Sequence, residues 1–88
     1  MPSPEDTPLT RLGATIRHYR RQQKISLTTF ATLTGLDKTY LSEIERGRRN
    51  ASVLSLLRIA QALHLPFSHL VAPLDPYVQL PPSQEDTL

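Results

Sequence analysis

With 88 residues and no cysteine, the chain has room for one small core, and it cannot form a disulfide framework or a thiolate zinc site. Its formal net charge is only +2, yet residues 9–71 hold all ten Lys and Arg with just Asp37, Glu43 and Glu45, a local charge of +7 between acidic flanks. A multi-domain enzyme with a deep cleft does not fit this length, and no apolar run approaches the ~18–20 residues that span a bilayer, so a cytoplasmic protein is expected.

The eight prolines frame the basic segment: Pro2, Pro4 and Pro8 precede it, and Pro66, Pro73, Pro76, Pro81 and Pro82 close or follow it. Between Leu9 and Leu65 there is no proline and only three glycines, so helix can run nearly throughout. Leu9, Leu12, Ile16 and Tyr19 form one helical stripe, predicting a first helix over 9–22 with Thr10 as a candidate cap. Ser26 caps a second helix running to Thr34, with Leu27, Phe30, Ala31 and Leu33 as inward candidates, and Gly35 ends it. Asp37 caps a third, about 38–46, with Leu41 and Ile44 inward and Gly47 as its stop. Ser52 caps a fourth through Leu63, with Val53, Leu56, Ile59, Ala60 and Leu63 inward, and Pro66 opens a fifth short helix to Val71. No stretch alternates with period two, so an all-α bundle of five short helices is expected. The chain divides into a flexible N-terminal tail, 1–8, a domain, 9–71, and an acidic Pro-rich tail, 72–88, extended or disordered, in which Tyr77, Val78 and Leu80 are the residues able to dock.

Ala31, Gly35, Leu41 and Ile44 fall where two crossing helices need a small residue at the crossing, a positive-φ turn and two apolar anchors, the requirement of a helix-turn-helix. With the surrounding runs Ile16-Arg17-x-x-Arg20, Ser26-Leu27-x-x-Phe30-Ala31-x-x-x-Gly35, Tyr40-Leu41-Ser42-x-Ile44-Glu45-Arg46-Gly47 and Leu56-x-x-Ile59-Ala60-x-Ala62-Leu63, the chain resembles the Cro and phage-repressor type of regulator, the XRE family. The run Asp37 to Asn50 looks most like the controller proteins of restriction-modification systems. The resemblance implies a lambda-repressor-like DNA-binding domain, no catalysis, no cofactor and a dimer on a palindromic operator.

A helix laid in the major groove would present Lys38, Thr39, Ser42 and Glu43 to base edges. Lys38 suits guanine, Thr39 a base or a thymine methyl, and Glu43 a cytosine amine or the orienting of Lys38 or a neighbouring basic residue, although Glu43 also reads as a solvated helix acid. Arg46, Arg48, Arg49 and Asn50 surround the end of that helix, where the family places phosphate contacts and sometimes a base contact, here assigned to Arg49; a basic cluster there also complements the helix dipole. Ser26 is a cap whose helix N-terminus can also meet a phosphate. Tyr40 joins the backbone contacts on the resemblance, and so does Thr28, because Leu27 stands where the family usually has a phosphate-binding Gln. Ala51 stands where many relatives have Pro. The family pairs Arg20 with Glu45, a structural ion pair, and Arg17 is open between a phosphate contact and a solvated face. Leu54, Leu57, Leu65, Phe67, Leu70 and Val71 are spare apolar residues suited to a dimer interface or to a fuller core.

Other chemistry finds little support. His18, His64 and His69 are scattered and no metal site is expected. No nucleophile elbow or glycine-rich phosphate loop occurs. The competing class is an antitoxin or adaptor that holds a protein partner through its C-terminal tail.

Overall fold

In the computed structural model, which describes residues 6–79, each of the first four helices starts at a side chain that accepts a backbone N–H. α1 (Pro8–Gln22) is capped by Thr7, and the Thr10 hydroxyl returns a bond to the Thr7 N–H. Thr10 is thus the third helical residue of a reciprocal capping box rather than the cap, because Pro8 fits the first helical position and moves the start forward. Ser26, Asp37 and Ser52 cap α2 (Leu27–Thr34), α3 (Lys38–Glu45) and α4 (Val53–Leu63), and each such cap contributes about 1 kcal/mol. Pro66 precedes α5 (Phe67–Val71).

The core is drawn from every helix: Leu12 and Ile16 of α1, Phe30 of α2, Leu41 and Ile44 of α3, Leu56, Ile59, Ala60 and Leu63 of α4, and Leu70 of α5. Two inward expectations fail on helix geometry. Leu33 is 55% exposed while Thr34 is buried, since residues 27, 30 and 34 fall within about 60° of one another on an α-helix and residue 33 does not. The buried Thr34 hydroxyl donates to the Phe30 carbonyl at 2.8 Å and accepts the Leu36 N–H at 3.2 Å, so it ties α2 to the turn. Val53, the first residue of α4, is 65% exposed, and the buried Ser55 takes the inward place.

Gly35 adopts φ +70° between α2 and α3, the left-handed turn that the helix-turn-helix needs. Gly13 has a different role. It lies where α1 passes under the last turn of α3, and a Cβ there would fall against the carbonyl oxygens of Ile44 and Glu45. α3 is therefore seated on α1 as well as on α2.

The expected domain end at 71 is corrected by the residues that follow it. Ala72–Tyr77 form a 3-10 helix packed on α1 and α5, with Leu74 against the core, because the proline geometry of Pro73 and Pro76 suits a tight helix and gives Leu74 and Tyr77 an apolar surface to cover. The Tyr77 hydroxyl donates to Asp6 Oδ1 at 2.7 Å, and Asp6 Oδ2 lies 3.4 Å from Arg11, so residues 6 and 7 belong to the folded unit as well. Leu80 and the rest of the expected tails, 1–5 and 80–88, lie outside the described residues. Among the described residues no helix is long and apolar enough to cross a membrane.

The clasp between Asp6 and Tyr77 makes stability sensitive to pH at two edges. The Tyr77 hydroxyl, with smaller help from Arg11 and against desolvation, holds the Asp6 carboxyl below its usual range; the bond to Asp6, with desolvation, pushes the Tyr77 phenol above its own. The carboxylate's contribution is present above the ordinary carboxyl pKa and lost as pH falls through the depressed value. The phenol's contribution is present below the ordinary phenol pKa and lost as pH rises through the raised value. Tyr77→Phe should therefore lower the urea midpoint by a constant amount through the neutral range, and the difference from wild type should vanish in strong acid and in strong alkali. A difference that does not vary with pH would show that the hydroxyl contributes only packing.

Candidate nucleic-acid interface

α3 turns Leu41 and Ile44 into the core, which leaves Lys38 and Thr39 exposed and Ser42 and Glu43 half-buried along its outer side. Its first turn is fixed by Asp37, whose carboxylate accepts the Tyr40 N–H at 3.1 Å. Arg46 ends α3, and Gly47, at φ +74°, turns the chain at once so that Arg48 returns beside the helix, its N–H donating to the Glu43 carbonyl at 2.8 Å. Together Lys38, Thr39, Ser42, Glu43, Arg46 and Arg48 line one groove of about 500 Å³, with Leu27 as its apolar wall. Six of the residues expected to contact DNA thus meet on one surface. Among the described residues, Lys38, Arg46 and Arg48 have no acidic partner.

The remaining expected contacts stand differently. Arg49 folds back, its guanidinium 5.0 Å above the Tyr40 ring and 3.5 Å from Glu43 Oε2, so the one acid of the groove already has a counter-charge. Tyr40 is turned toward α4: its hydroxyl donates to Ser55 Oγ at 3.1 Å and accepts the Ser52 N–H at 3.4 Å. Hydrogen bonding to Ser55 chiefly, opposed by burial and then aided by Ser52 and Arg49, draws the phenol below its ordinary pKa. Tyr40 thereby braces α3 against the start of α4, since a half-buried phenol needs a partner for its hydroxyl. The Ser26 hydroxyl accepts from the Thr29 N–H and donates to Thr29 Oγ1, which occupies it as a cap. Thr28 and Asn50 are exposed and outside the groove lining.

Below the groove, Arg20 holds Glu45 in a two-pronged pair, Nε to Oε2 at 2.7 Å and Nη2 to Oε1 at 2.9 Å, and its third arm donates to the Ile25 carbonyl at 2.8 Å. The side chains are 12% and 6% exposed. Hydrogen bonding to Glu45 outweighs desolvation and holds the guanidinium proton more tightly than usual. Arg17, whose role the sequence leaves open, lines a smaller cavity of about 210 Å³ with Arg20, Leu27, Ser42, Glu45 and Arg46. The signal for it is its place three residues before Arg20 on the side of α1 that meets α3.

Of the six residues expected at a dimer interface, Leu70 is fully buried in the core and cannot form an outer contact. Leu65, Phe67 and Val71 are half-buried against that core, while Leu54 and Leu57, 73% and 45% exposed, stand on the outside of α4 beside Val53. Among the described residues no three of His, Cys, Asp and Glu cluster as a metal site would require.

Comparison with known proteins agrees with this geometry. A helix-turn-helix family profile matches residues 16–70. The transcriptional regulator SutR of Escherichia coli K12 is 37% identical over 62 residues, 70% of this chain but only 35% of SutR. The control protein C.MunI of a Mycoplasma species is 33% identical over 66 residues, 74% of this chain and 89% of that protein. The crystal structure of the restriction-modification controller protein C.AhdI from Aeromonas hydrophila superposes with a TM-score of 0.70 at 37% identity, over 70% of this chain and 94% of that one. A helix-turn-helix match over more than half the chain, carried by a lambda-repressor-like all-α bundle, places this protein in the XRE-type helix-turn-helix family of DNA-binding regulators, which are not enzymes, and within it the chain resembles the restriction-modification controller proteins.

Proposed function

We propose that the protein is a sequence-specific, homodimeric transcriptional regulator of the cytoplasm that lays α3 in the DNA major groove. The observation that carries this reading is the single groove in which Lys38, Thr39, Ser42 and Glu43 stand beside the uncompensated Arg46 and Arg48. Lys38, Thr39, Ser42 and Glu43 read base edges, and Arg49 joins them by leaving Tyr40 when a phosphate or base competes for it. Arg46, Arg48 and Asn50 hold phosphates, with the α2 N-terminus and Thr28 beside them, and set register rather than sequence. One such helix reads only a few base pairs. A second copy, joined through Leu54 and Leu57 with Leu65, Phe67 and Val71 at the edge, reads a half-site about 34 Å away and doubles the phosphate contacts. No observation favours the adaptor reading, since residues 72–77 of the expected tail are already packed on α1.

Selection from random duplex DNA should yield a palindrome, and binding to it should weaken steeply with salt. The double change Arg48→Gln and Arg49→Gln should weaken binding to random duplexes through the lost phosphate contact of Arg48 and binding to the selected site further through Arg49, whereas Lys38→Ala or Thr39→Ala should cost about 1–3 kcal/mol on the selected site and little elsewhere. Equal losses on both duplexes for all these variants would overturn the assignment of base readout.

A further inference from the structure

α1 bears a second cationic surface. Ala14, Arg17, His18, Arg21 and Gln22 recur along the helix as one stripe, and with Glu45 of α3 they line an open groove of about 570 Å³. The short Ala14 side chain leaves room between the longer arms. Glu45 does not neutralise the groove, because both its oxygens already accept from Arg20. Among the described residues, Arg17 and Arg21 have neither an acidic partner nor a hydrogen-bond acceptor.

This groove is continuous with the reading face. Arg17 and Glu45 line both it and the 210 Å³ cavity, which in turn shares Leu27, Ser42 and Arg46 with the groove along α3. The cations Lys38, Arg48, Arg46, Arg17 and Arg21 therefore follow one track, on which one carboxylate is bound by Arg20 and the other by Arg49. We infer that Arg17 and Arg21, with His18 between them, hold DNA phosphates outside the segment read by α3, so that the contacted backbone extends onto the outer flank of α1. Planar guanidinium groups suit phosphate oxygens, and a surface with no access to base edges adds affinity without sequence preference. The inference rests on the proposed DNA-binding function. The competing role for Arg21 is local: it lies in the last turn of α1, where a cation offsets the helix dipole without any DNA.

The test is a salt titration of the full chain carrying Arg17→Gln and Arg21→Gln, beside the Arg48→Gln, Arg49→Gln variant, on the selected duplex and on a random one, with phosphate-ethylation interference. The log–log salt slope on the selected palindrome should become shallower by about 3.6, at about 0.9 per phosphate contact for two arginines in each of two protomers, with the ratio of specific to non-specific affinity kept. Ethylation of the outermost phosphates should cease to interfere, and Arg17→Lys with Arg21→Lys should restore the slope. An unchanged slope and interference pattern, while Arg48→Gln, Arg49→Gln loses contacts, would overturn this inference alone. A fall in the urea midpoint with no change in slope would assign Arg21 to the helix dipole and overturn it too. A wild-type chain with no salt-dependent binding to duplex DNA would overturn both this inference and the function beneath it.

Discussion

Gly13→Ala should destabilise the domain by about 3 kcal/mol or more, although alanine is the better helix former by about 1 kcal/mol. The added methyl group meets backbone, not a side chain that can swing away: the Glu45 carbonyl oxygen lies 2.5 Å and its carbon 2.8 Å from the Cβ position, with the Ile44 oxygen closer still. Relief requires α3 to lift off α1, which would also separate Glu45 from Arg20. In a domain whose whole stability is of the order of 5–13 kcal/mol, this is a large share. Urea unfolding measures the loss, and the fraction that stays folded should bind the selected duplex less tightly because its reading helix has moved. Ala14→Gly, one position along on the exposed side, should cost only the propensity difference of about 1 kcal/mol. A Gly13→Ala protein as stable as wild type would mean that the two helices do not cross this closely.

Glu45→Ala should cost about 3–5 kcal/mol, because it leaves the nearly buried Arg20 guanidinium with only the Ile25 carbonyl. Arg20→Ala should cost at least as much, since it strands a more buried carboxylate and that carbonyl as well. Arg20→Lys should rescue little: a compact ammonium cannot bridge two carboxylate oxygens and a carbonyl at once. The double variant Arg20→Met, Glu45→Leu should be more stable than either single variant, as an apolar pair of similar volume has no desolvation cost to recover. Chemical denaturation of Arg20→Ala, Glu45→Ala and the two together closes a double-mutant cycle, and additive losses in it would show that the pair is not coupled.

The helices were legible because each has two independent signals that agree, a cap and an apolar stripe: Ser26 with Phe30, Asp37 with Leu41 and Ile44, Ser52 with Leu56 and Ile59. The fold boundary was not legible. Prolines at 73 and 76 argue against α-helix, yet a 3-10 turn accepts them, and only the tertiary surface offered by α1 and α5 makes that turn worth forming. For the site, the spacing within α3 was enough to assign which side chains face outward, since Leu41 and Ile44 fix the opposite side. What Tyr40 and Arg49 do depends on partners twelve or more residues away or on a loop that folds back, and no local pattern encodes that. Arg17 and Leu27 are similar: each matters through a concavity shared by three helices.

The clasp between Asp6 and Tyr77 also fixes where charge sits in space. Asp6 is held just before α1, which from Pro8 to Arg21 runs about 20 Å at about 1.5 Å per residue. That is more than two screening lengths at physiological ionic strength, so the anchored acid subtracts little from the field of the arginines at the far end. Arg11 balances Asp6 at that end, while Arg17 and Arg21 toward the other end have no acidic partner among the described residues, so positive charge is concentrated toward the C-terminal end of α1. In the field of a polyanion the molecule experiences a torque that brings the basic end forward, which favours productively oriented encounters before any specific contact forms.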